Sequence, residues 1–395
     1  MALAANAAVA FGVDRVNPND LPAPAARVGL VTNDAATTAT DPARPARVTL
    51  RARGLNLVRL FGPEHGLTAT AADGAKVGDG ADPVTGLPVI SLYGERVRPL
   101  PEQLDDLDAL LFDIPDAGAR FYTYIWTLSH LLEACADAGK PLIVLDRPNP
   151  LGGRLEDAEG PMLDESFVST FVGRWSIPVR HSLTAGELAT LWNAERRIGC
   201  DLRVVRCAGW RREMHWPDTR LPFVPMSPAM RNYETALVYP GTCFLEGTNL
   251  SEGRGTDWPL RVVGAPWLEA DATVDDLNAL RLPGLRFSRF DFTPGARKFS
   301  GEKCAGVRID LVDAHAVRPV AMGLHLLAVG ARRHRGRFEW LAYKTAVNRA
   351  GDGHFDRLVG VPGARASVEA GTTDVAALTH ATGWADRVRP VLLYA

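Results

Sequence analysis

Glu64 and His65 lie between a proline and a glycine in the run Gly62-Pro63-Glu64-His65-Gly66. A tight turn of this kind fixes the backbone and aims both side chains. A carboxyl group there, beside the apolar Phe61 and Leu67, can be lifted in pKa and serve as a general acid, with His65 orienting it. The plainer reading of this motif alone is a solvated turn acid. Glu159-Gly160-Pro161 sets a second acid in a similar context, after the loop 151–158. Two carboxyl groups of unlike protonation are a sufficient kit for acid/base hydrolysis, so Glu64, His65 and Glu159 are the catalytic candidates.

The stretch 240–256 is the most unusual in the chain. Its four glycines let backbone approach a ligand closely, while Glu246, Asn249, Glu252 and Arg254 supply acceptors and donors. Three further clusters are Thr32-Asn33-Asp34, Asp113-Ile114-Pro115-Asp116 and Asp146-Arg147-Pro148-Asn149-Pro150. From these, Asn33, Asp116, Asp146, Arg147 and Asn149 are binding candidates. Turns favour such residues in any protein, and Asp113 and Asp116 can equally cap a following helix. Tyr122 and Tyr124, in the segment 118–127 (GARFYTYIWT), can stack on a sugar ring or simply fill a core.

The elements that must position these residues alternate between β and α. Apolar runs predict strands at 27–32, 55–62, 87–93, 110–114, 141–146 and 201–207. Helices are expected around 101–110, over 120–140 and over 184–199, the last opened by a Thr184/Glu187 capping box. Continuous apolar strands between helices point to a largely parallel sheet covered on both faces, and ligands of such sheets bind beyond the strands' carboxyl ends. All four polar clusters that follow predicted strands, 62–66 among them, fall at those ends. The text turns Pro-rich at 217–228, so the expected division is 1–228 and 229–395. The second part carries a strand at 304–312 and a helix at 319–333.

Composition narrows the function classes. The 395 residues are 46% hydrophobic and 23% charged with a formal net charge of -2, so nothing drives binding to a phosphate backbone and nucleic acid is not an expected partner. Five cysteines, none in a C-x-x-C, suit core packing in a reducing compartment better than disulfides. The Ala-rich start, 1–12, has no Lys or Arg before its apolar stretch, which reads as cytoplasmic rather than as an export signal. No run has the apolar length of a membrane span. Phosphate-binding loop, dinucleotide fingerprint, zincin helix and serine-esterase elbow are all missing, and the histidines lack ligand spacing. No cofactor and no metal are expected.

Longer motifs carry a resemblance. GPEHG (62–66), TGLPVISLYG (85–94), FDIPDAGARFYTYIWTL (112–128), VLDRPNPLGG (144–153), EGP (159–161), IPVRHSLTAGELA (177–189), YPGTCFLEGTNLSEGRGT (239–256) and GAPW (264–267) resemble, in order, the exo-β-N-acetylmuramidases. The resemblance implies a Rossmann-like N-terminal domain, a smaller C-terminal α/β domain closing a cleft, and release of N-acetylmuramic acid from the non-reducing end of peptidoglycan-derived saccharides. A lactyl carboxylate on that sugar calls for a cation, for which Arg254, Arg120 and Arg147 are candidates. Where the family pattern has a Pro-Ser-Pro-Asn-type stretch, this chain has Met226-Ser227-Pro228-Ala229-Met230, which bears on sugar specificity. The competing classes are a non-catalytic saccharide-binding protein and a muropeptide amidase or esterase using Ser182 beside His181.

Overall fold

The computed structural model describes residues 8–168, 170–345, 349–371 and 374–395. Its first half is built on β1 (Val28–Thr32), β2 (Leu57–Gly62), β3 (Gly80–Ala81), β4 (Pro88–Ser91), β5 (Ala109–Asp113), β6 (Leu142–Leu145) and β7 (Leu202–Val205). They form one sheet in the order β3-β4-β2-β1-β5-β6-β7. All pairings are parallel except that of the short edge strand β3 with β4.

Side chains alternate between two apolar layers, as a pleated strand requires. Val31, Leu110, Phe112, Leu142 and Val144 enter one core, while Val28, Leu30, Leu111, Ile143 and Leu145 enter the other. Helices α3 (Tyr124–Asp137) and α4 (Ala185–Glu195) feed the first layer; α1 (Gly12–Arg15) and α2 (Ala46–Ala52) feed the second. The sheet is thus covered on both faces, which is why its central strands read as unbroken apolar runs. The Thr184/Glu187 capping box opens α4, and Gly139, at φ 62°, lies just beyond the C-terminal end of α3.

The second half pairs α5 (Tyr233–Thr242), α6 (Ala270–Ala279), α7 (Pro319–Arg333) and α8 (His354–Val359) with an antiparallel sheet. That sheet comprises β8 (Val262–Ala265), β9 (Leu285–Arg289) and β10 (Ala305–Leu311), ordered β8-β10-β9. Helices α5 and α7 touch backbone to backbone: a Cβ on Gly241 would sit 1.9 Å from the Pro319 carbonyl oxygen. The apolar layer under α3 and α4 runs on into α5 and α7, so the halves share a core. The C-terminal residues also cross back to the first half, where Leu393 donates to Glu187 (2.9 Å) and Tyr394 to Asp146 (2.6 Å).

The α/β architecture with a mostly parallel sheet is the one expected, and one local expectation changes. Residues 101–110 hold only one 3-10 turn, Pro101–Gln103, because Leu104 and Leu107 are buried as anchors of a loop and Asp106 pairs with Arg27 and Arg59. The run 236–240 lies inside α5, with Pro240 near its end, and 264–265 close β8. All five cysteines are free and buried. Among the described residues no helix is long and apolar enough to cross a membrane.

Candidate active site

The turn after β2 puts Glu64 and His65 at the carboxyl edge of the sheet. His65 and Gly66 both adopt left-handed backbone, with φ of 67° and 72°. Glycine tolerates this freely, whereas at histidine it is strain that the surroundings must hold. The Glu64 carboxylate is fixed at both oxygens. Oε1 accepts from the Gly74 amide (2.8 Å), and Oε2 accepts from the Thr123 hydroxyl (2.7 Å), one residue ahead of α3. Tyr93, just beyond β4, stands beside it: burial first, and then the Glu64 charge, push the phenol up. His65 donates from Nδ1 to the Ala71 carbonyl (2.7 Å), which leaves Nε2 3.9 Å from Asp73 Oδ1. His65 therefore does not orient Glu64; Gly74 and Thr123 do.

The second half answers with a cation bound by three acids. Arg254 donates from Nε to Glu252 (2.8 Å), from Nη2 to Glu246 (2.6 Å) and from Nη1 to Asp73 of the first half. Burial pulls the guanidinium down, but the three carboxylates outweigh it and hold the charge well above its ordinary range. Burial likewise pushes Glu252 up, and Lys298 (2.8 Å) with Arg254 reverses this, leaving it at about 2. Gly255, at φ 79°, brings this segment against Gly295, where a Cβ would meet backbone at 2.7 Å. Glu246 spends its other oxygen on His354 Nε2 (3.1 Å), and Tyr343 stacks on that imidazole with centroids 4.8 Å apart.

Glu64, His65, Asp73, Glu246, Arg254 and His354 all line one cavity between the halves, together with Tyr93, Tyr122, Tyr239 and Tyr343. Its empty space, including the part open to solvent, is about 640 Å³. Among the described residues no ion pair involves Glu64, whereas Asp73 and Glu246 are both tied to Arg254. The stretch 240–256 contains the 3-10 segment Cys243–Gly247, and its Glu246, Glu252 and Arg254 are buried.

Other candidates stand elsewhere. Glu159 does not line the cavity; it receives the Val320 (3.1 Å) and Ala321 (2.6 Å) amides at the start of α7. Burial pushes it up to about 7 against those amides and Arg180. It closes a helix end rather than pairing with Glu64. Arg120 is spent on the carbonyls of Pro161, Ile177, Leu358 and Val359, and burial takes it down to about 9. Asp146 binds Thr184, Gly186 and Tyr394, and burial lifts it to about 6. Arg147 bonds Asp113 and the Thr37 carbonyl, and with Asp116 it lines a different cavity. Asn149 pins Leu183 and Leu151, Asn33 accepts from Ala35, and Asn249 bridges Arg337 and Glu339 on the surface. Of the tyrosines, Tyr122 lines the cavity, while Tyr124 is core and donates to the Met226 carbonyl (2.9 Å).

Sequence reasoning missed Asp73, Thr123, Tyr93, Tyr343 and His354. Tyr93 and Thr123 lie inside the runs 85–94 and 112–128 without standing out from them, while Asp73, Tyr343 and His354 lie outside every run quoted, the last two beyond residue 340. Ser182 and His181 do not form a nucleophile pair: the imidazole bonds Asp116 (3.1 Å) and the Leu183 amide (3.2 Å), and neither residue lines the cavity. Ser227, Ala229 and Met230 do line it, so the departure from the family pattern falls on a cavity wall.

The chain matches the model of the exo-β-N-acetylmuramidase NamZ N-terminal domain over residues 28–234 and that of the C-terminal domain over 237–394. It is 42% identical over 347 residues to the peptidoglycan β-N-acetylmuramidase NamZ of Bacillus subtilis (strain 168), an alignment covering 88% of this chain and 81% of that protein. Two crystal structures of DUF1343 family proteins from Bacteroides fragilis NCTC 9343 superpose with TM-scores of 0.85 and 0.75, at 31% and 26% identity. Each comparison covers 98% of this chain and 99% of the other. The chain belongs to the exo-β-N-acetylmuramidase NamZ family.

Proposed function

We propose that the chain releases N-acetylmuramic acid from the non-reducing end of peptidoglycan-derived saccharides, and that Glu64 is its reacting carboxylate. One observation carries the assignment to Glu64: it is the cavity acid held by uncharged donors, while its neighbours are neutralised by Arg254. Cleavage of a glycosidic bond passes through a positively charged, oxocarbenium-like sugar. A preorganised carboxylate with no competing cation is the group that stabilises such charge most strongly.

A single unpaired acid also suits this sugar. Its 2-acetamido oxygen can take the place of a second protein carboxylate, as in substrate-assisted glycosidases. His65 is the adjacent group for proton transfer, since its Nδ1 hydrogen is committed to Ala71 and Nε2 is left to exchange. Tyr93, Tyr122 and Tyr239 give the cavity walls against which a sugar ring packs.

Glu64→Gln keeps the shape and both donors' positions but removes the charge. Release of chromophore from a chromogenic β-N-acetylmuramide should fall about 10³-fold or more, with the thermal midpoint nearly unchanged. Turnover within about tenfold of wild type would remove Glu64 from the reaction. A purely saccharide-binding role is separated by the same assay on the unmodified enzyme, which would then release nothing.

A further inference from the structure

The sugar assigned above carries a lactyl carboxylate, and none of the three arginines first considered is free to meet it. Arg120 is spent on four carbonyls, Arg147 lies in another cavity, and Arg254 is bound by Asp73, Glu246 and Glu252. The cavity already holds the acids Glu64, Asp73 and Glu246. An anion entering it needs donors that are not already engaged, and preferably a positive charge. Three buried polar atoms on its lining residues have no hydrogen-bond partner among the described residues: Tyr122 Oη, Tyr343 Oη and His354 Nδ1.

Two of these belong together. His354 begins α8, and its Nε2 hydrogen goes to Glu246 Oε2 at 3.1 Å, so the opposite nitrogen is the one left over. The Tyr343 ring lies on the imidazole at an interplanar angle of 20°, fixing its plane, and the Arg297 guanidinium stands 5.2 Å from the centre of that ring. Glu246, itself anchored by Arg254, holds the imidazole from behind, so that Nδ1 is aimed at the cavity side. We propose that His354, held through Nε2 by Glu246, receives the lactyl carboxylate through Nδ1–H, with the Tyr343 hydroxyl as a second donor. This rests on the muramidase reading and deepens it: His354 is the residue that tells N-acetylmuramyl from N-acetylglucosaminyl ends, which lack the lactyl ether.

The test compares wild type, His354→Gln and Tyr343→Phe in two assays. One is hydrolysis of a chromogenic β-N-acetylmuramide; the other is calorimetric binding of free N-acetylmuramic acid and free N-acetylglucosamine. His354→Gln should raise KM for the muramide and weaken N-acetylmuramic acid binding about 10- to 100-fold, leaving N-acetylglucosamine binding unchanged. The change in kcat should stay within about threefold, since the lactyl contact is the same in ground and transition states. Tyr343→Phe should show the same pattern at about 3- to 10-fold, and it carries the test if the histidine variant does not fold. Equal losses for both sugars, a loss confined to kcat, or unaltered N-acetylmuramic acid binding would overturn the proposal. Wild-type enzyme inert toward the muramide would overturn the functional reading as well; an active wild type whose variants keep their sugar preference overturns only the role of His354.

Discussion

Glu64 and Glu159 are both buried glutamates with proline and glycine close by in sequence, and they do different work. Each has its two oxygens satisfied by donors, so hydrogen-bond count does not separate them. The partners do. Glu64 takes one donor from its own loop and one from the residue ahead of α3, and it faces a cavity. Glu159 takes both from the first turn of α7, more than 150 residues away in the chain, and faces packed protein. A buried acid beside a ligand space can act on a substrate, whereas one that ends a helix holds two elements together. The lesson is that a turn motif announces a constrained acid but not which element will meet it.

The largest test of that contrast sets Glu64→Gln against Glu159→Gln. The first should lose about 10³-fold or more in turnover with little change in unfolding free energy. The second should keep turnover per folded molecule but lose about 1–3 kcal/mol of stability, because a Gln amide cannot accept from both α7 N–H groups. Reversed outcomes, measured by chromogenic assay and urea unfolding, would exchange the two roles. Next in size is Arg254→Met, which leaves Asp73, Glu246 and Glu252 facing one another. Removing one partner of a buried charge cluster costs about 3–5 kcal/mol, so the variant should unfold at much lower urea. A loss under about 1 kcal/mol would mean the cluster does not hold the cavity together.

Much of the fold was legible because strand burial leaves a simple trace. The runs at 110–114 and 141–146 became β5 and β6, and the Thr184/Glu187 pair capped α4 as read. The segment 101–110 misled because its leucines sit in a loop whose polar residues bond distant arginines, a tertiary effect that periodicity does not carry. At the site, the GPEHG turn and Glu246 and Arg254 were visible as dense polar sequence beside glycines. His354 and Tyr343 were not, since the contact that brings this histidine to Glu246 in the cavity spans 108 positions.

The acids should also respond to pH in opposite directions. Glu159 is raised from about 4.5 to about 7, so the folded state holds its proton longer than the unfolded chain does. That stabilisation is full below pH ~4.5 and is lost as pH rises through about 7, a change of roughly 3 kcal/mol. Glu252, held at about 2, contributes stability above pH ~4.5 that disappears as pH falls toward 2. Urea unfolding across pH 4 to 8 should therefore show a downward slope in wild type that flattens in Glu159→Gln. An identical slope in the two proteins would mean that Glu159 stays ionised throughout, its charge carried by the α7 amides and Arg180.

The smallest effect isolates what holds Glu64 in place. Thr123 gives its hydroxyl hydrogen to Glu64 Oε2 at 2.7 Å, and Gly74 keeps the other oxygen, so losing Thr123 loosens the carboxylate without freeing it. Thr123→Val preserves volume and branching while removing the donor. It should lower kcat about tenfold, equivalent to one ordinary hydrogen bond, with KM nearly constant. Thr123→Ser restores the hydroxyl and should recover most of that loss. If Ser and Val variants fall equally, the methyl group and not the hydrogen bond matters at this position, and Glu64 would then differ from Glu159 in its surroundings alone and not in how it is aimed.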